Sequence, residues 1–204
     1  MGHAYQIEAT RAAGAQAVVV ALGGDFTQRG AAAFCEKGVR ARAALACGAD
    51  LVLEIPAPFA MASAERFAYG GVALLSSLGC VDTLSFGSEG GDAAALWRLG
   101  EVLDAPEFSA LLKEELAGGA AYASARSAAA ERLSPGAAAL LSGANDLLGA
   151  EYCKWIRRLE VKMRPLTIKR EGVTHGAKKA GEGFASASYL RDLGTVYGLR
   201  DYVP

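Results

Sequence analysis

The chain has 204 residues, of which 52% are hydrophobic, yet it lacks any long apolar run. No unbroken stretch approaches the ~18 residues that a membrane-spanning helix needs, so no membrane partner is expected. It also lacks an excess of charge. Lys and Arg number 21 against 22 Asp and Glu, and the net charge of -1 leaves no molecule-wide field to attract nucleic acid; any basic surface must be local. The four cysteines (Cys35, Cys47, Cys80, Cys153) contain no C-x-x-C pair and have no histidine at ligand spacing. Idle thiols in a reducing compartment are expected rather than a zinc site, and no metal ligands are assigned. Met1-Gly2-His3 begins no secretory leader, which makes a cytoplasmic protein the expectation. There is no repeat of fixed period. No G-x-G-x-x-G opens a helix after a strand, which argues against a dinucleotide-binding oxidoreductase.

What the chain does have is concentrated between Val18 and Pro58. The apolar run Val18-Val19-Val20-Ala21-Leu22 breaks into Gly23-Gly24-Asp25-Phe26-Thr27-Gln28-Arg29-Gly30. A basic helical segment follows over about 34–47. Gly48-Ala49-Asp50 then turns the chain into a second apolar run, Leu51-Val52-Leu53, ending in Glu54-Ile55-Pro56. This is strand, glycine loop, helix, turn, strand, with the length that a crossover between parallel strands requires.

Residues 4–13 read as a helix with Tyr5, Ala9 and Ala12 on one side, stopped by Gly14. A helix directly before a buried strand is unusual for a doubly wound fold, and a missing leading strand is expected. An alanine-rich helix over 62–78 ends at Gly79. The third strand, 81–86, runs into Gly87-Ser88-Glu89-Gly90-Gly91, and Asp92 is placed to cap a helix over 92–103. From Pro106 to about Arg158 only helical segments are predicted, near 106–117, 120–133, 135–142 and 146–158. A last strand covers 165–170. A loop rich in Gly and Lys follows over 171–183, and Ser186-Ala187-Ser188 caps a short helix. The expected organisation is an α/β core over 1–104, a helical subdomain over 105–160 and a return to the core over 161–204. With all strands parallel, their carboxyl tips gather bare backbone N–H groups and helix N-termini, which favours a phosphate or carboxylate ligand.

The residues Gly24-Asp25-Phe26-Thr27-Gln28-Arg29-Gly30, Lys37, Arg40 and Gly48 to Pro56 closely resemble the bacterial tRNA(Met) cytidine acetate ligase family. The resemblance continues through Phe86-Gly87-Ser88-Glu89, Asn145 to Tyr152, Ile168-Lys169-Arg170 and Ser186-Ala187-Ser188-Tyr189-Leu190-Arg191. It is collinear over nearly the whole chain. It implies a Rossmann-like nucleotidyltransferase sheet of α/β class with a helical insertion. The implied activity joins ATP and acetate into acetyl-adenylate, with Mg²⁺ present. The acetyl group then passes to N4 of the wobble cytidine of elongator tRNA(Met). Of the family's H-x-G-H motif only Gly2-His3 match, and the family carries a further carboxyl-terminal region. The resemblance therefore implies a fragment cut at both ends; the competing readings are an inactive or partial nucleotide- or tRNA-binding unit, or another nucleotidyltransferase that uses a different small acid.

Each candidate residue has an ordinary role beside the functional one. His3 is by position an exposed histidine; by resemblance it donates to phosphate oxygens, with Gly2 allowing close approach. Asp25 belongs to a turn after a strand, or else reaches a ribose hydroxyl, a Mg²⁺ ion or the incoming base. Gln28 and Arg29 are exposed by composition, and Arg29 suits a phosphate clamp. Lys37 is charge on a solvated helix or a catalytic group near the cleft; Glu54 ends its strand at the same edge. Gly87 is loop geometry or the glycine against which ATP lies. Asn145 is an N-cap or an ATP contact, followed by Asp146 where relatives often have another Asn. Lys154, Arg157, Arg158, Lys162, Arg164, Lys169 and Arg170 form the one dense basic stretch, with Arg157 and Arg158 assigned to tRNA and Arg170 to ATP. Ser186 and Arg191 are an ordinary capped helix, or by resemblance they hold the departing pyrophosphate.

Overall fold

The structure is a computed structural model and describes residues 2–28 and 30–170, Gly2 and His3 by backbone alone. The predicted loop over 171–183 and the helix after Ser186 lie outside the described residues. The chain divides into two compact units, one reaching to Met61 and one spanning Ala62–Lys169.

The first unit runs α1 (Gly2–Ala12), β1 (Val19–Gly23), α2 (Lys37–Ala46), β2 (Leu51–Ile55) and α3 (Ala57–Ala60). β1 and β2 are parallel, with Val19 opposite Leu51 and Gly23 opposite Ile55. The predicted strand–helix–strand unit is therefore present, and Gly23 and Glu54 emerge at the same edge. Gly14, at φ 103°, ends the first helix as expected. The face of α1 differs from the expectation. Ile7 and Thr10 are its buried residues, and Ala12 is exposed. Ile7 packs with Val18 and Ala49 in the small apolar centre of this unit. Arg11 fastens the outside, donating to the Gly48 and Gln16 carbonyls and pairing with Asp50 at 2.6 Å. Asp50 also accepts from the Val18 N–H, the main reason its carboxyl lies below the ordinary range.

The second unit runs α4 (Ala64–Ser76), β3 (Thr83–Ser88), α5 (Ala93–Asp104), α6 (Pro106–Ala117), α7 (Tyr122–Leu133), α8 (Ala137–Ser142), α9 (Ala144–Arg158) and β4 (Arg164–Lys169). β3 and β4 are parallel, pairing Thr83 with Arg164 and Ser88 with Lys169. Asp92 caps α5 by accepting from Ala95 N–H at 2.9 Å, as its position predicted. Four helices occupy the stretch from Pro106 to Arg158 where no strand was expected. Helix α9 is the organising element and packs on α4, α5 and β3. Two glycines permit the approach. A Cβ on Gly100 would stand 2.9 Å from Lys154 N, and one on Gly149 2.6 Å from the Phe86 ring. Leu99, Leu103, Phe108, Ala129, Ala130, Leu141 and Ala150 form the apolar core around that contact.

This core also encloses charge. Glu151 and Lys154 are 2% and 4% exposed. Arg126 pairs with Glu151, and Lys154 Nζ lies 2.8 Å from both Glu65 and Glu151. Buried charges are tolerated only when paired in this way. Lys154 cannot belong to an RNA-contacting surface, which corrects its inclusion in the basic stretch. Beside Lys154 in the chain, burial pushes the Cys153 thiol up to about 12, so it is inert.

Candidate functional site

In the second unit the parallel register brings the carboxyl ends of β3 and β4 side by side. Gly87 stands opposite Ile168 and Ser88 opposite Lys169, with Arg170 following directly. The loop leaving β3 is tied to the first turn of α9 by a reciprocal set of hydrogen bonds. The Asp146 carboxylate, 4% exposed, accepts from Ser88 Oγ and from the N–H groups of Glu89 (3.0 Å) and Gly90 (3.1 Å). The Glu89 carboxylate in return accepts from Asn145 Nδ2 at 2.6 Å and from the N–H groups of Asn145 and Asp146. Burial works to raise the Glu89 carboxyl, but these donors together hold it below its ordinary value.

The clasp places Gly87, Asn145 and the end of β4 within one constellation. Asn145 is not an N-cap, because α9 begins at Ala144 with Gly143 as its cap. It lies in the first helical turn, and the anion that the N–H groups of this turn attract is the Glu89 carboxylate, which takes those of Asn145 and Asp146. A Cβ on Gly143 would lie 2.7 Å from Glu89 Oε2, so the lack of a side chain there lets the carboxylate reach the helix end. Sequence reasoning missed Ser88, Glu89 and Asp146 as partners. The only local signal was an acidic residue opening a helix, and Ser88 and Asp146 are 58 positions apart.

The first unit has a second cluster at the tips of β1 and β2. Asp25 Oδ1 accepts from the Lys37 N–H at 2.8 Å, so a carboxylate stands at the N-terminus of α2. Lys37 Nζ donates to Glu54 Oε2 at 2.8 Å, and that bond together with the Glu54 charge raises the lysine above its ordinary range. Arg40 fixes the exit of β1, donating to the carbonyls of Cys35 and Gly23 at 2.9 Å and of Gly24 at 2.5 Å. Its guanidinium spreads three nitrogens over three backbone acceptors, a planar fork that the single nitrogen of a lysine does not reproduce.

His3 falls in the first turn of α1, preceded by Gly2. Gln28 is exposed in the turn before Gly30. Arg29, Ser186 and Arg191 lie outside the described residues. Arg157 pairs with Glu101 and Arg158 with Asp104, both carboxylates on α5. They also face aromatic rings, Arg157 at 5.8 Å from Trp97 and Arg158 at 5.3 Å from Trp155. Each carboxylate accepts from a single nitrogen of its guanidinium, Glu101 from Arg157 Nη1 and Asp104 from Arg158 Nε. Among the described residues no group of three His, Cys, Asp or Glu converges to hold a metal ion.

A family model described as HIGH Nucleotidyl Transferase matches residues 1–204. The tRNA(Met) cytidine acetate ligase of Caldanaerobacter subterraneus is 37% identical, over 100% of this chain and 53% of its own length. The ligase of the same name from Syntrophotalea carbinolica is 42% identical over 93% of this chain and 46% of its own. Two crystal structures of Thermotoga maritima TmcAL share the fold. The apo form has TM-score 0.93 at 32% identity, and the form bound with alpha-thio ATP has 0.89 at 33%; this chain covers 51% and 50% of them. The chain thus spans about half the length of the curated relatives it matches.

Proposed function

The chain belongs to the HIGH nucleotidyl transferase family, and from that premise we propose that it serves an ATP-dependent acetate–tRNA ligase. In this reading acetate is activated as acetyl-adenylate, and the acetyl group passes to N4 of the wobble cytidine of elongator tRNA(Met). The observation that carries it is the constellation of Gly87, Asn145 and the end of β4, held by the Glu89–Asp146 clasp. It accompanies similarity over the full chain to ligases of that name and to a structure bound with an ATP analogue.

The chemistry needs positioning and charge stabilisation rather than a covalent enzyme intermediate. An acetate oxygen attacks the α-phosphorus in line, and the bond to the β-phosphate oxygen breaks, releasing pyrophosphate. The N4 amine then attacks the acetyl carbonyl carbon; AMP leaves, and the amine loses a proton. Gly87 lets the nucleotide approach the backbone, Asn145 offers an amide to adenine or ribose, and Arg170 pairs with phosphate. His3 donates to phosphate oxygens as charge builds, while Ser186 and Arg191 hold pyrophosphate. Asp25, Gln28 and Arg29 serve the acceptor substrate, and Lys37 is the catalytic group; Arg157 and Arg158 contact tRNA backbone.

Mg²⁺ fits this scheme as a companion of ATP rather than as a resident of a protein cage. Asp146 is taken up by three donors, and Glu54 is paired with Lys37. An ion arriving with ATP would supply screening of the triphosphate charge, with neither Asp146 nor Glu54 free to hold it.

Incubating the chain with ATP and acetate and trapping with hydroxylamine tests the reading. Acetohydroxamate together with pyrophosphate is the expected result. ATP binding without either product would reduce the chain to a nucleotide-binding unit, and no ATP binding would remove the proposal.

A further inference from the structure

At the tips of β1 and β2 the first unit contains a pocket of about 190 Å³ between the β1 exit and α3. None of the ATP-directed residues lines it. Its walls are Ala57, Ala60, Phe26 and Met61, and its rim carries the carboxylates of Asp25 and Glu54. Phe26 is 52% and Met61 43% exposed, so two large apolar side chains stand open to solvent beside two acceptor groups. Asp25 is committed to the first N–H of α2. Glu54 keeps one oxygen on Lys37, and the other leans over Gly24, where a Cβ would come within 2.5 Å of it. The missing side chain at position 24 therefore lets that carboxylate reach the pocket floor.

These features select a ligand class. The rim carries two carboxylates against the single ammonium of Lys37, so its net charge is negative and disfavours an anion such as acetate or phosphate. The volume is well below the ~300 Å³ at which sites for larger ligands begin, so a single ring fits rather than a whole nucleotide. Apolar walls with an aromatic face suit a flat heterocycle, and a carboxylate acceptor suits an exocyclic amine. Among the pyrimidines, cytosine donates from N4, whereas uracil presents an O4 acceptor that a carboxylate repels.

Resting on the RNA-acetylation reading above, we propose that this pocket receives the cytosine ring of the RNA substrate. The ring lies against Phe26 and Met61, and its N4 amine donates to Glu54. Glu54 is then the residue that specifies the base, and Phe26 is the stacking platform. A base held out of its own stack gains its affinity from such a surface.

The test uses two RNA hairpins that differ only in cytidine or uridine at one loop position, titrated into the chain by fluorescence anisotropy. The chain is expected to favour the cytidine hairpin by about tenfold. Glu54→Gln, whose amide can donate to O4 as well as accept from N4, should bring the ratio to within about twofold. Phe26→Ala should weaken both hairpins by about tenfold; Phe26→Leu, which keeps the apolar bulk, serves if the alanine variant melts early. Equal affinity of the unmodified chain for the two hairpins overturns the proposal, as does a cytidine preference that survives in Glu54→Gln. ATP binding, measured separately by calorimetry, divides the failures. Absent ATP binding counts against the ligase reading, whereas ATP binding with indifference to the base counts against the pocket alone.

Discussion

Asp146 and Glu89 satisfy one another's backbone: Glu89 N–H donates to Asp146 at 3.0 Å, and Asp146 N–H donates to Glu89 at 2.8 Å. Two residues 57 positions apart thereby lock a strand exit to a helix start. The contact is built from backbone donors, so it holds the main chain rather than two side chains.

Removing the buried half of this clasp should be costly. Asp146→Ala strands Ser88 Oγ and two loop N–H groups, and a loss of about 2–3 kcal/mol is expected from such orphaned donors. Asp146→Asn should lose less, since its amide oxygen still accepts while its NH₂ group opposes a donor. Urea midpoints of the three proteins measure this. An unchanged midpoint for the alanine variant would mean that the clasp contributes nothing.

Acid should weaken the same contact. Glu89 is held below its ordinary value of 4.5 in the folded chain. Its contribution is therefore complete above about 4.5 and is lost as pH falls through the lower folded value. Stability plotted against pH should fall on the acid side, and Glu89→Gln should flatten part of that fall. Asp50, Glu65 and Glu131 are also depressed and supply the remainder. Identical acid limbs for the two proteins would contradict this.

The helix glycines should divide by what surrounds them. Gly100→Ala drives a methyl group into the backbone of α9, 2.9 Å from Lys154 N. Overpacking of about 1–3 kcal/mol should outweigh the helix propensity gained. Gly38→Ala meets nothing closer than 3.5 Å and should stabilise by some tenths of a kcal/mol. Thermal midpoints moving the same way in both variants would be the contrary result.

Glu151 joins two cations inside the second unit. Glu151→Ala leaves Arg126 and Lys154 buried without it, and a loss of about 3–5 kcal/mol is expected. The check is chemical denaturation, and a cost under about 1 kcal/mol would mean that water reaches the cluster.

The sequence made the elements legible because local signals agreed with the tertiary contacts. The crossover between two β-rich runs became the parallel pair of β1 and β2, and Asp92 capped α5 where a short polar residue preceded a helical run. It was less informative wherever distant residues decided the outcome. The buried side of α1 is Ile7 and Thr10, because the small core of Val18 and Ala49 chose it. Lys154 looked like part of a basic surface because a sequence does not display the Glu65 and Glu151 that enclose it. Of the candidate site, Gly87 and Asn145 were readable by resemblance. The carboxylates that hold them were not, since the donors they capture come from a loop far along the chain.

The position of α9 governs how the second unit can open. Because that helix touches α4, α5 and β3 at once, no one of them can detach without baring the buried faces of Gly149, Cys153 and Ile156. Hydrogen exchange at its central amides should then require the whole unit to come apart, making this helix the last segment to take up deuterium.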